Sequence, residues 1–150
     1  MSTVTIADAL QLIRPGAKWA LRGDSYDGLE WMDATHAKPS ANEVDAALDD
    51  VRLLRSRAAV KLEAQRRIIA LTGKNTLQDC MIKQFNALMR AGQLTDKRVN
   101  GEALTAGEET EADALRALAD RVKAIRAASD TIEVMSPIPA DYTDNRWWPA

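Results

Sequence analysis

Two side chains of the types that most often carry chemistry occur once each in this chain, His36 and Cys80. A histidine that acts as a general base needs a nucleophile within hydrogen-bond reach and a third group that orients the imidazole. No such partners can be identified by their spacing from His36, which lies in the polar segment ATHAKP. We therefore expect a solvated loop histidine. Cys80 precedes the apolar Met81 in a helical pattern and is expected to be a buried structural thiol.

Adjacent acidic residues, Asp49–Asp50 and Glu108–Glu109, could be considered as acid and base pairs. Neighbouring residues on a helix point about 100° apart, so these carboxylates do not face each other. The segments RPGAK and LTGKNT each contain a glycine and a lysine but not the full phosphate-binding loop pattern. The sequence therefore predicts no catalytic residue, no cofactor, no metal site and no small-molecule substrate.

The overall composition is that of an ordinary helix-favouring domain, with 46% hydrophobic and 28% charged residues and a net charge of −2. Arginines in the middle of the chain are nearly balanced by acids, so binding to nucleic acid is not expected. No apolar run approaches the roughly 20 residues that span a bilayer. The start MSTVTIADAL lacks the charged and apolar regions of a signal peptide, so we expect a chain made in the cytoplasm without membrane attachment.

Residues 1–39 predict a small N-terminal module. The apolar residues Ile6, Leu10 and Ile13 share helical spacing, although TVTI is also compatible with a strand. The segments AKWALR and LEWMD alternate in polarity on either side of the turn-forming GDSYDG. They predict a β-hairpin over residues 17–33 with Trp19 and Trp31 on one face. A hairpin alone is marginally stable, so it must pack on the following helices or on another chain.

Residues 40–135 predict three helices. Pro39 marks a boundary, and Ser40 with Glu43 forms the capping pattern S-A-N-E. From there a helix is predicted to about Thr72, followed by Gly73 as its C-terminal cap. Its apolar stripe follows steps of four and three, with polar residues in two places, and comprises Val44, Leu48, Val51, Arg55, Ala58, Leu62, Gln65 and Ile69.

The second predicted helix begins after Thr76 and ends at Gly92, with an apolar face of Leu77, Met81, Phe85 and Leu88. The polar segment 93–107 is predicted to be a loop. Thr105 and Glu108 then form a second capping pattern at the start of the third helix.

The third helix carries apolar residues at three-four spacing, which suits either a bundle within one chain or an interface between copies. The sequence leaves both arrangements open. The residues of the oligomer-interface hypothesis are Leu115, Leu118, Val122, Ile125 and Ile132.

Residues 136–150 contain three of the five prolines and predict an extended tail. In an extended segment Trp147 and Trp148 point to opposite faces, so at most one can pack on the chain itself. The tail either folds back on its own core or anchors the chain in a groove of a partner, because tryptophan dominates interface hot spots. The residues of the partner-binding hypothesis are Trp19, Trp31, Trp147, Trp148 and Pro149.

The order of these features resembles a known group of proteins. RPGAKW precedes the GDSYDGLEW hairpin, and Asp33 is followed by the helix start KPSANEV. This order resembles small tailed-bacteriophage proteins similar to the XkdW-like and tail-fibre-associated families, over about residues 9–70. The resemblance implies a role in the virion or its assembly, and it carries over no catalytic residue.

The sequence therefore predicts a mainly α protein with a small N-terminal β-hairpin (α+β), long amphipathic helices in a helical bundle and an extended C-terminal tail. We expect a non-enzymatic structural protein of the phage virion, a tail connector or tail-fibre attachment subunit. The expected partners are other phage tail or fibre proteins and further copies of the chain in a homo-oligomer. The alternative is a tail-fibre assembly chaperone that is absent from the mature particle.

Overall fold

The computed structural model describes residues 3–149, which are mainly helical with a small N-terminal hairpin, as predicted. The chain divides into two compact units, Met1–Ala58 and Ala59–Ala150. In chain order the helices and strands of the described residues are α1 (Ile6–Ile13), β1 (Trp19–Leu21), β2 (Leu29–Trp31), α2 (Ala41–Leu71), α3 (Leu77–Val99) and α4 (Ala106–Glu133).

Helix α1 begins at a reciprocal cap. The backbone N–H of Thr5 donates to Asp8 Oδ2 at 2.8 Å, and the N–H of Asp8 donates to Thr5 Oγ1 at 3.4 Å. These bonds satisfy two of the N–H groups that a helix start leaves without partners. The cap therefore decides between the two interpretations of the first residues in favour of a helix, which buries Ile6, Ala9 and Leu10.

The hairpin pairs its two strands with Trp19 directly opposite Trp31. Directly opposite residues lie on the same face of an antiparallel pair, so the predicted placement of the two tryptophans is confirmed. Beside the turn, the N–H of Arg22 donates to the Gly28 carbonyl at 2.9 Å. A Cβ atom at Gly28 would lie 1.9 Å from the Arg22 carbonyl oxygen, so this close approach requires glycine.

The first unit has one hydrophobic core, built from α1, the hairpin and the first turns of α2. The sequence-based division placed residues from 40 onward with the later helices, whereas the structure groups α2 up to Ala58 with the N-terminal elements. The phenol of Tyr26 donates to the Pro39 carbonyl at 2.6 Å and joins the turn to the segment before α2. The buried residues of this core are Ile6, Ala9, Leu10, Leu29, Val44 and Ala47.

Both ends of α2 follow the sequence prediction. The N–H of Ser40 donates to Glu43 Oε2 at 2.7 Å, and the N–H of Glu43 donates to Ser40 Oγ at 3.3 Å. The helix ends at Leu71, and Gly73 follows with a φ of +66°, a backbone conformation that residues other than glycine rarely adopt.

In its second half the predicted apolar stripe of α2 is confirmed at Ile69, which packs half-buried on the core of the second unit, and is wrong at Ala58 and Leu62. Ala58 and Leu62 are exposed, and the buried apolar residues of that half are Val60, Ala64 and Ile68. These three residues are four positions apart and so share one face of the helix, which packs in the core of the second unit. Each unit thus buries its own set of α2 residues, so one repeat does not describe the whole helix.

Helix α3 does not end at Gly92, and the predicted loop over residues 93–107 is largely helical. The helix continues to Val99, with Leu94 buried in its last turns. A glycine within a helix lowers stability by roughly 0.5–1 kcal/mol relative to alanine. The burial of the Leu94 side chain stabilises the helix by more than this. Gly101 provides the positive φ that follows the actual end of the helix.

Charged side chains connect α3 to α4. Arg90 Nη2 lies 2.8 Å from Glu111 Oε2, and Arg98 Nη2 lies 2.5 Å from Glu109 Oε2. Lys97 Nζ lies 2.5 Å from Glu108 Oε1, and the carboxylate of Glu108 also caps α4 through the N–H of Thr105. The predicted capping pair is confirmed, and its glutamate also pairs with the preceding helix.

Substituting alanine at two glycines should have opposite effects. G28A should lower the free energy of unfolding by about 1–3 kcal/mol, because its Cβ would overlap the Arg22 carbonyl. G92A should raise it by up to about 1 kcal/mol, because nothing lies within 4 Å of the added Cβ. Urea unfolding followed by circular dichroism measures both. Destabilisation by G92A would contradict the uninterrupted helix.

Acid should weaken the α3–α4 pairing through Glu108. The hydrogen bond from Lys97, followed by that from the Thr105 N–H, lowers the pKa of Glu108 from 4.5 to about 2. The folded-state pKa lies below the unfolded value, so this stabilisation is present above about pH 4.5 and is lost as the pH falls toward 2.

We expect E108Q to be less stable than the wild type at pH 7 and to lose less stability than the wild type between pH 5 and pH 2. Thermal unfolding at several pH values measures this difference. E102Q, which changes an exposed glutamate between α3 and α4, is the matched control. An identical pH profile for E108Q and the wild type would refute the contribution of Glu108.

Candidate interaction surface

His36 lies in an exposed turn that Asp33 organises. Asp33 Oδ1 accepts the backbone N–H groups of Thr35 and His36, both at 2.8 Å. Asp33 Oδ2 accepts the N–H of Lys18 at 3.0 Å. Several hydrogen bonds hold the pKa of Asp33 well below its ordinary value, and the bond from the Thr35 hydroxyl contributes most to this shift. The carboxylate therefore joins this turn to the start of the hairpin.

The same turn brings a carboxylate and a hydroxyl to the histidine, a juxtaposition that the sequence spacing did not suggest. Asp33 Oδ1 lies 3.1 Å and Thr35 Oγ1 lies 3.0 Å from the same atom, His36 Nδ1. A catalytic triad uses both ring nitrogens, one for the carboxylate and the other for the nucleophile. With both groups on one nitrogen, this arrangement stabilises the turn and does not activate the hydroxyl.

Cys80 is fully buried in the core of the second unit, as predicted. The side-chain amide of Gln84 donates to its sulfur at 3.0 Å. The acidic pairs also serve separate cations: Asp49 binds Arg52, whereas Glu108 and Glu109 bind Lys97 and Arg98.

The hairpin tryptophans are half-buried and pack on the core of the first unit. The indole N–H of Trp31 donates to the His36 carbonyl at 2.8 Å. Trp19 lines an open groove of about 680 Å³ together with Arg14, Lys18 and the exposed Met32. Trp19 therefore borders a surface opening large enough to admit a side chain of another molecule.

The C-terminal tail is folded on the second unit and does not run extended throughout. A turn at residues 140–143 precedes a 3-10 helix at Asn145–Trp147. Trp148 is only 6% exposed and belongs to the core, and Trp147 packs partly buried against it. The expectation that at most one tryptophan packs inward assumed an extended backbone, and the helical turn removes that restriction. Pro149 is exposed.

Arg67 of α2 holds this tail in place. Its guanidinium donates to the Thr143 carbonyl at 2.7 Å and to Asn145 Oδ1 at 3.0 Å, and it lies 4.9 Å from the centre of the Trp148 ring. Glu63 Oε1 accepts from Arg67 Nε at 2.7 Å, and hydrogen bonds led by that from Arg66 lower the pKa of Glu63. The buried carboxylate thus orients the arginine that binds the tail.

Most of the proposed interface of α4 is used inside the chain. Val122, Ile125 and Ile132 are buried in the core of the second unit, so the hypothesis that they form an interface between copies is wrong for these residues. Leu115 and Leu118 are half-buried beside α3 and line a groove of about 340 Å³.

Most of the exposed large apolar side chains of the described helices lie on α3, and we call the surface formed by six of them the α3 face. The inner side of this helix is formed by buried Cys80 and Leu94 and half-buried Ala87 and Ala91. The six large side chains of the α3 face are 45–70% exposed: Leu77, Met81, Ile82, Phe85, Leu88 and Met89.

The sequence contained a signal for this surface that periodicity alone did not reveal. The spacing of Leu77, Met81, Phe85 and Leu88 predicts one apolar face of this helix. Ile82 and Met89 follow two of these residues directly and widen the apolar arc of the helix. This wider arc is the sequence feature that corresponds to the exposed α3 face.

Comparison with known proteins found no matching family model, and neither a curated protein nor a solved structure matches the chain. Among residues 3–149, no helix is both long enough and apolar enough to cross a bilayer. The same residues contain no group of three histidine, cysteine or acidic side chains that could hold a metal ion.

Replacing Trp148 should destabilise the second unit, because a buried indole would leave a cavity. We expect W148A to lower the free energy of unfolding by about 3–5 kcal/mol in urea denaturation. W147A, which removes the half-buried neighbouring ring, is the matched control and should cost less. A W148A chain as stable as the wild type would support the external-anchor hypothesis and contradict its place in the core.

Proposed function

We propose that this protein is a non-enzymatic structural subunit of a tailed-bacteriophage particle, either a tail connector or a tail-fibre attachment subunit. In this proposal it is made in the host cytoplasm and incorporated into the virion. The α3 face carries the proposal, because an apolar surface of this size on a monomer marks a site of protein association. The resemblance of residues 9–70 to small phage tail proteins supports the particle context.

His36 and Cys80, whose side chains could act in catalysis, have structural roles, which also supports a function in assembly. His36 shares a turn with Asp33, and Cys80 is enclosed in a core. Among the described residues, the chain presents apolar surface on α3 and an open groove beside Trp19 to other molecules. These are the features of a chain that acts by binding other proteins.

The groove beside the hairpin is the proposed contact with neighbouring tail or fibre proteins. Trp19 and Arg14 line it, and tryptophan and arginine are enriched among the residues that dominate interface energies. Arg14 is oriented by Glu43, with 3.3 Å between Nη2 and Oε1. The groove thus combines an apolar ring and an arginine held in position.

The alternative function is a tail-fibre assembly chaperone that leaves before the particle is complete. Met81 and Met89 on the α3 face favour it, because methionine adapts to partners of different shape. Both functions use exposed apolar surfaces. They differ in whether the chain is present in finished particles.

Mass spectrometry of purified, fully assembled particles separates the two functions. We expect the chain at a fixed copy number, a multiple of three or six, relative to the major tail protein. Recovery only with free fibre protein from lysates of infected cells would favour the chaperone. Its absence from both fractions would contradict both proposals.

A further inference from the structure

We propose that the α3 face binds a second copy of this chain, with the two α3 helices antiparallel across a two-fold axis at Phe85. This inference deepens the proposed function, because it names the partner that binds the α3 face. It rests on the proposal that the chain acts by associating with other protein chains. It does not require that the partner chain come from a phage particle.

The exposed area is close to what a stable dimer needs. Six large side chains that are 45–70% exposed present roughly 700 Å² of apolar surface, given on the order of 200 Å² for each when fully exposed. A standard interface buries about 800 Å² per partner. The largest apolar patch of a typical monomer is about 300–600 Å², so the α3 face exceeds what monomers usually leave in water.

The absence of charge favours a copy over a different protein. Between Leu77 and Gln93, the positions that share this face with the six apolar side chains are Gln78, Gly92 and Gln93, all neutral. A two-fold axis brings equivalent regions of the two chains together, so charges near it would repel. Within this span the face has no charge to repel, and its first charged position, Asp96, lies about three turns from Phe85.

The order of the apolar residues is nearly symmetric about Phe85. Antiparallel pairing across a two-fold axis at Phe85 places Met81 opposite Met89 of the second copy and Ile82 opposite its Leu88. Each pair joins side chains of similar size, and each occurs twice, as required at an interface in which both copies use the same surface. Gln78 then lies opposite Gly92, where the lack of a side chain leaves room.

Leu115 and Leu118 extend this surface onto α4. With Phe85, Leu88, Ala87 and Ala91 they line the groove of about 340 Å³ between α3 and α4. An apolar ridge of the second copy can enter it, as in the packing of ridges into grooves between helices. Leu115 and Leu118 therefore remain interface candidates at the edge of the α3 face.

The first experiment measures mass in solution by light scattering during gel filtration of the full chain. We expect twice the chain mass of 16.5 kDa. L88D, at a residue that is 70% exposed, should weaken the dimer at least about 30-fold and retain its helical circular dichroism. L62D, at a leucine of α2 that is 65% exposed, is the matched control and should remain dimeric.

The second experiment tests the symmetry by disulfide formation. F85C should cross-link to itself, and a mixture of M81C and M89C should give mixed dimers. M81C alone should not cross-link, because antiparallel pairing shifts its two copies by about 12 Å along the helix axis. The wild type, whose Cys80 is buried, is the control. A monomeric wild type, a dimer insensitive to L88D, or self-cross-linking of M81C would overturn the proposal.

Failure of this inference is distinguishable from failure of the proposed function. A monomeric chain that is present in purified particles would refute the α3 dimer and leave the structural role intact. A dimer that is sensitive to L88D and absent from particles would support the pairing and contradict the structural role.

Discussion

The contacts of the Arg67 guanidinium join α2 to the C-terminal tail within the second unit. The guanidinium binds the backbone at Thr143, the side chain of Asn145 and the face of the Trp148 ring, while Glu63 fixes its orientation. The other buried residues of this core are of moderate size, among them Val60, Ala64 and Ile68 of α2 and Val122, Ile125 and Ile132 of α4. The indole of Trp148 supplies the large volume that they lack. Once the tail is held there, the apolar stripe of α4 is largely covered within the chain.

That arrangement leaves α3 as the helix whose apolar residues are least covered. Its small side chains, such as Ala87 and Ala91, allow close packing on the inner side, whereas Phe85 and Leu88 lie outside. The charged pairs of Arg90, Lys97 and Arg98 with α4 hold the helix in this orientation. Association through the α3 face, as we propose, does not require the helix to leave its place in the fold.

One turn of the first unit shows how residue types found in catalytic sites can serve a structural role. Asp33, Thr35 and His36 contain the residue types of a hydrolytic triad within four positions. Their distances place the carboxylate and the hydroxyl on one ring nitrogen, which is a turn geometry. A catalytic triad and this turn differ in which ring nitrogen each group contacts, and the residue types alone do not reveal that difference.

The sequence by itself determined the features that depend on residues close along the chain, from helix caps that span three positions to a hairpin whose paired tryptophans are twelve positions apart. The caps Ser40–Glu43 and Thr105–Glu108 and the pairing of Trp19 with Trp31 follow from local hydrogen bonds and alternation, so the fold class was predictable. Tertiary structure alone decided the continuation of α3 through Gly92, the burial of Trp148 and the exposure of the α3 face. The physical reason is that helical periodicity marks which residues are apolar, whereas burial depends on which distant segment reaches them first. Trp148 reaches the core of the second unit from far along the chain, whereas no segment of the described chain covers Phe85 and Leu88, which are 61% and 70% exposed.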